Sequence, residues 1–168
     1  RVKKEIERNY LEISSINDLN DTNFCPEGYR VEFVNPTNFQ INKFFYKNVG
    51  KKHKWIDRLV WTEKQWIQYT SDEKVKTFIL KEGEDMAGYF ELISHLDKNE
   101  VEIAYLGLLE EYQNKKLGSY LLSTAIRNSF NENPKRVWVH TCSLDHKNAL
   151  RNYISRGMKI FKKETIII

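Results

Sequence analysis

Residues 106–119, LGLLEEYQNKKLGS, carry the most informative spacing in the chain. An apolar run stops at Leu109, a polar turn follows, and a helical apolar period begins at Leu117. Where a strand feeds a helix through such a turn, free backbone N–H groups and the positive end of the helix dipole converge and attract an anion. Lys115 and Lys116 add positive charge there. The competing reading is an ordinary helix start with two solvated lysines. A second group, His140, Cys142, Asp145 and His146, falls within seven residues. It invites a metal, but no C-x₂-C or H-E-x-x-H spacing accompanies it, so no metal is expected. No G-x-S-x-G, Walker loop or dinucleotide fingerprint occurs, which leaves hydrolase, NTPase and dehydrogenase chemistry without support.

The elements that must position these groups can be read from periodicity. Residues 5–14 and 29–34 read as strands, separated by a loop rich in Asn, Asp, Pro and Gly over 17–28. Phe39, Ile41, Phe44, Phe45 and Val49 fall near helical spacing, and Thr62 with Gln65 forms a capping-box signature opening a helix to about Tyr69. Strands follow at 75–80, 86–95 and 101–109. Leu117, Leu121, Leu122, Ala125, Ile126 and Phe130 keep a 3.6-residue period, predicting a helix over 116–131. A buried strand over 136–142, a helix over 146–156 and a strand over 158–168 complete the chain. The strand–helix–strand unit over 101–142 has the length of a right-handed crossover, so its two strands should be parallel. The hairpins before it should be antiparallel. This predicts a mixed α/β sandwich around one sheet.

The 168 residues suffice for one domain with its own core. With 40% hydrophobic and 30% charged residues, the composition argues against disorder and low complexity. Aromatics at 13% predict an aromatic-rich core and pocket. No apolar run approaches a bilayer span, and the charged opening RVKKEIERNY does not read as a signal peptide. Lysine and arginine exceed aspartate and glutamate by 27 to 23, a net charge of +4 that suits an anionic ligand without demanding nucleic acid. Two distant cysteines without a CxxC pair point to a reducing cytoplasm rather than a disulfide scaffold.

Two motifs in this order resemble the GNAT superfamily of N-acetyltransferases. The family's acetyl-CoA loop reads Gln/Arg-x-x-Gly-x-Gly/Ala between a strand and a helix. This chain offers Gln113-x-x-Lys116-x-Gly118, with lysine where the family usually has glycine. The family's last helix often carries Ala-x-x-x-Tyr-x-x-x-Gly-Phe, matched by Ala149, Tyr153, Gly157 and Met158. His146 stands where the family has Asn, and Met86-Ala87-Gly88-Tyr89 resembles its third strand. The resemblance covers about 75–162 and is weak before that. It implies a mostly antiparallel sheet of about seven strands with a splayed parallel pair, flanked by about four helices. It also implies one acetyltransferase domain over 1–168, with an acceptor-side part over 1–74 and a cofactor-binding core over 75–162.

The resemblance further implies direct acetyl transfer from acetyl-CoA to an amine of a small molecule or peptide. The diphosphate would sit on the amides of Asn114, Lys115, Lys116, Leu117, Gly118 and Ser119, beside Gln113. The pantetheine arm would dock as an extra strand between Leu106 and Leu108 on one side and residues 139–141 on the other, with His146 and Tyr153 also on the cofactor. The Leu108 N–H matches the family's donor to the thioester oxygen. Glu102, six residues before Leu108, matches the spacing of the base in histone-acetylating members, and it should share a strand face with Ala104 and Leu106. The alternative for Glu102 is a salt-bridged strand carboxylate. His140 is the rival base, or else a core histidine satisfied by backbone. Tyr153 is the candidate acid for the departing thiolate, or else a packing residue.

Tyr46, His53, Trp55, Asp57, Arg58 and Trp61 lie where family members close over the acceptor, and aromatics with a carboxylate suit a cationic amine. The bland reading is an aromatic core edge beside a solvated basic loop. A different class of protein also fits: a non-catalytic CoA-binding domain, or an RNA-binding module using Lys43, Lys47, Lys51, Lys52 and Lys54. The expected partners are acetyl-CoA and an unidentified amine acceptor, with no membrane or nucleic acid, in a monomer or homodimer.

Overall fold

The computed structural model describes residues 3–22, 24–53 and 55–167; Lys54 of the basic loop lies outside them. The elements run β1 (Glu5–Ile13), β2 (Tyr29–Phe33), α1 (Phe39–Gly50), α2 (Glu63–Ser71), β3 (Val75–Glu82), β4 (Asp85–His95), β5 (Glu100–Leu108), α3 (Leu117–Ser129), β6 (Arg136–Cys142), α4 (Ala149–Ser155) and β7 (Lys159–Ile167). These match the expected seven-stranded mixed sheet and four helices, with boundaries shifted by a few residues. The helix expected from His146 starts instead at Ala149, because residues 146–148 form a turn in which His146 O accepts the Ala149 N–H.

The strand order is β2-β3-β4-β5-β6-β1-β7. Every pairing is antiparallel except β5 with β6, as the crossover predicts. Periodicity identified β1 as a strand but not its place between β6 and β7. That place follows from pairing: Leu11 and Ile13 lie against Val139 and Val137, and all four are buried.

One face of the sheet carries the main core. Leu11, Leu80, Phe90, Ile103, Val137 and Val139 meet Leu121, Leu122, Ala125 and Ile126 of α3 and Tyr153 of α4. The α3 side chains recur at helical spacing and are excluded from water, so their apolar surface is what fixes the helix to the sheet. The other face carries a smaller cluster, in which Phe45 and Val49 of α1 meet Ile79 and Tyr89. Gly107 permits this approach, since a Cβ there would run into Val49. The capping box of α2 forms as predicted: Thr62 accepts from the Gln65 N–H, and the Gln65 side chain accepts from the Thr62 N–H. No described helix is long and apolar enough to cross a membrane.

Candidate active site

The parallel pair β5 and β6 stays in register for only three residues, Glu100, Val101 and Glu102 against Arg136, Val137 and Trp138. Beyond that the strands diverge. The divergence coincides with a β-bulge: Tyr105 pairs with Glu91 and Ile103 with Leu92, leaving Ala104 as the extra residue. A cleft of about 570 Å³ opens in the gap and is reached from both faces of the sheet. Its lining includes Leu106 and Leu108 on one side and Val139, His140 and Cys142 on the other.

On the α3 face the cleft ends at the β5–α3 turn. Asn114 and Lys116 both adopt left-handed backbone, each with φ +63°. Lys116 therefore takes the conformation for which glycine is the usual residue. No side chain caps α3, so its first N–H groups remain free beside the cleft. Gly118 shows what the space is for. A Cβ there would meet only Asn152 Nδ2, at 3.7 Å, so the fold itself has room for a side chain that the cleft lacks. Asn152 donates to Gly118 O at 3.1 Å and ties α4 to this turn. Of the expected cofactor residues, Leu106, Leu108, Gln113, Asn114, Lys116, Leu117, Gly118, Ser119, His146 and Tyr153 all line the cleft. Lys115 does not; its ammonium lies 5.6 Å from the Tyr112 ring centroid. The Leu109 N–H donates to Ala87 O of β4, so strand alternation turns the Leu108 N–H the other way, into the gap left by β6.

On the α1 face, residues 51–53 and 55–58 lie over the cleft and form a strap. Lys52 Nζ reaches Glu110 Oε1 at 2.6 Å, His53 Nδ1 lies 3.2 Å from Leu144 O, and Trp55 Nε1 donates to Asp145 Oδ1 at 3.3 Å. Asp145 is held in turn by the Thr141 hydroxyl and the Cys142 N–H. His53, Trp55 and Asp57 line the cleft, and Tyr105 floors it. Tyr46, Arg58 and Trp61 do not. Arg58 turns inward to a 3.0 Å ion pair with buried Glu91, its guanidinium 4.1 Å from the Tyr69 centroid and 4.3 Å from that of Tyr105. Glu91 also accepts from Tyr69 and Asn42. Tyr46 is buried, its hydroxyl accepting the Arg58 N–H. The cation-recognising geometry expected for an acceptor is thus filled by the protein's own arginine.

Residues 37–158, more than half of the chain, match the profile of the acetyltransferase (GNAT) family. The chain belongs to the GNAT family. Solved structures agree in fold. A GCN5-related N-acetyltransferase from Sphaerobacter thermophilus superposes with a TM-score of 0.75 at 14% identity, over 96% of this chain and 50% of that one. One from Kribbella flavida gives 0.68 at 15%, over 96% and 56%. An aminoglycoside acetyltransferase from an uncultured soil metagenomic sample, solved with trehalose, gives 0.63 at 12%, over 77% and 87%. The chain spans about half the length of the first two. No curated protein matches it by sequence.

Within this GNAT fold the titratable candidates separate. The bulge at Ala104 puts Glu102 on the α1 face with Tyr105, not with Leu106, which corrects the expected strand face: a period of two fails across an extra residue. Glu102 does not line the cleft, and its carboxylate lies 2.9 Å from His95 Nε2. His140 does line it, on the same face, with Tyr10 opposite in register. Although its ring is open to the cleft, surrounding protein lowers its pKa by desolvation, and Arg8 lowers it further. Tyr153 also lines the cleft, and burial, then Asp145, pushes its pKa above the usual tyrosine value. His146 is lowered by desolvation, then by His53. Among the described residues no three His, Cys, Asp or Glu side chains gather to hold a metal. Sequence reasoning missed Arg8 and Ile6 of β1, which also line the cleft. Only the strand order brings them there, and no local motif signals it.

Proposed function

We propose that this GNAT protein transfers the acetyl group of acetyl-CoA directly to an amine. The supporting observation is a cleft passing through the sheet between diverging β5 and β6, with the uncapped start of α3 on one face and the strap on the other. The diphosphate binds the amides of the β5–α3 turn, and the pantetheine arm runs along the free edge of β5. The Leu108 N–H donates to the thioester oxygen as negative charge develops there. His140, neutral because its pKa is lowered, takes the proton from the incoming ammonium group. The amine nitrogen then bonds to the acetyl carbon, the C–S bond breaks, and the thiolate takes a proton from Tyr153. Burial keeps that phenol protonated until it is needed. Glu102, held by His95, stays in the wall of the sheet.

Calorimetry with acetyl-CoA, followed by thiol release with polyamines, amino acids and peptides, tests this reading. Binding with acceptor-dependent thiol release is expected. No binding overturns it, and binding without release to any amine leaves a CoA-holding module.

A further inference from the structure

The acceptor half of the cleft contains a cation, Arg8, to which the transfer chemistry above assigns no ligand. Arg8 lines the cleft from β1, with its side chain one-third exposed. Its Nη1 makes two long contacts, 3.4 Å to the Tyr10 hydroxyl and 3.4 Å to Glu164 Oε1. Glu164 takes its short bond, 2.7 Å, from Tyr10 instead. Arg8 Nε is buried and has no partner among the described residues. A guanidinium has five N–H donors in a planar fork that matches a carboxylate, and a buried donor left unpaired costs free energy. Arg8 Nη2, which makes no hydrogen bond among the described residues and is not buried, is the donor it has to offer.

Register places it. Arg8 lies opposite Cys142 and Tyr10 opposite His140, so Arg8 and His140 are diagonal neighbours on one sheet face. Such pairs stand about 7–8 Å apart, a gap that an amine and a carboxylate on one small molecule can bridge. Asp57 on the strap lines the same cleft and offers the opposite charge to an ammonium group. Arg8 would oppose a polycation.

We propose that Arg8 binds a carboxylate carried by the acceptor, so that the acceptor is an amino acid rather than a polyamine. This rests on the acetyl-transfer reading above. The test measures kcat/KM by thiol release for glycine, methionine, phenylalanine and glutamate, each against its α-carboxamide, and for spermidine. Amidation lowers the amine's own pKa, so intrinsic reactivity favours the amide and works against the proposal. At least one free acid should nonetheless exceed its amide by about 10–100-fold, the scale of a hydrogen bond to a charged group. Arg8→Gln should bring that acid to parity with its amide, while acetyl-CoA affinity stays within about twofold. Arg8→Lys should keep part of the preference.

Parity in the unmutated protein overturns the proposal. So does an Arg8→Gln variant that, at a pH above the acid limb, slows acid and amide equally, or one that weakens acetyl-CoA binding. An independent readout is the Arg8 Nε–H NMR signal, which should move with the preferred acid and not with its amide. Should acetyl-CoA fail to bind while that signal still responds, the transfer reading falls and the carboxylate site stands. A silent signal with acetyl-CoA bound removes the site alone.

Discussion

The two halves of the cleft are held in place by different forces. The cofactor half hangs on α3, whose Leu117, Leu121, Leu122, Ala125 and Ile126 are almost wholly removed from water. Dispersion and apolar burial fix it, and neither depends on a particular partner atom. The acceptor half is tied by discrete polar contacts: Lys52 to Glu110, His53 to Leu144, Trp55 to Asp145, and Arg58 to Glu91. Under the proposed function the first construction would hold acetyl-CoA and the second the acceptor, and exchanging a few contacts on the strap would leave the core alone. Variants in one half should therefore leave the other half's readout unchanged.

The largest effect is expected at the proposed base. His140→Gln should lower kcat by about 10²–10⁴-fold, the usual scale for a positioned acid or base, with acetyl-CoA affinity unchanged. Glu102→Gln should keep most of the activity, since that carboxylate faces His95 outside the cleft. The reverse result would return the role to Glu102. The pH profile carries a sign as well. Desolvation and Arg8 lower the His140 pKa, so the imidazole stays neutral to a pH below the ordinary histidine value. The acid limb of kcat/KM should lie correspondingly low. Arg8→Gln removes one of the two causes and should move that limb upward.

What could be read from sequence divides along the same line. Gln113 to Gly118 and Ala149 to Gly157 are contiguous motifs, so the turn, α3 and α4 are legible in the sequence alone. In the acceptor half, His53, Trp55 and His140 were named from sequence, whereas Arg8 reaches the cleft only through the place of β1 in the strand order. Arg58 and Trp61 carried the right chemistry for a cationic acceptor, yet burial decides whether an aromatic-ringed cation site faces solvent or the protein's own arginine. Composition does not encode that choice. The Ala104 bulge was equally silent, and it reversed the face of Glu102.

The buried pair tests whether polar ties really hold the strap. Glu91 is fully buried, and Arg58 is nearly so. Removing one partner of such a pair leaves an uncompensated charge and costs about 3–5 kcal/mol. Glu91→Gln should lose that much in urea unfolding. Below its melting range the variant should bind acetyl-CoA normally while its acceptor KM rises. A weakened acetyl-CoA affinity would show that the halves are coupled after all.

On the cofactor side, Gly118→Val should reduce acetyl-CoA affinity by about 100-fold or more, because the side chain enters space the fold leaves open. Stability should change by about 1 kcal/mol or less, since the nearest atom to an added Cβ is Asn152 Nδ2 at 3.7 Å. A large loss of stability would mean that the glycine serves packing rather than ligand access.

The smallest effect tests the departure from the family's own motif. Lys116 holds φ +63°, a conformation costing about 1–2 kcal/mol for a residue with a Cβ. Lys116→Gly relieves that cost but gives the unfolded chain more freedom, about 0.4–1 kcal/mol in the opposite direction. The variant should therefore gain between about 0 and 1.6 kcal/mol in chemical denaturation, the range the two terms leave. Its acetyl-CoA affinity decides what the lysine does in return for the strain. Where the ammonium contacts the diphosphate, the glycine variant binds more weakly, and its affinity falls less steeply with salt because one screened attraction is gone. Where the side chain points away, affinity is equal or better and the salt slope is unchanged. Lys116 lines the cleft, whereas Lys115 lies against Tyr112. Of the two lysines only Lys116 borders the proposed diphosphate position, so the weaker binding and shallower salt slope are the expected outcome. Lys115→Ala, on the other side of the turn, should change neither.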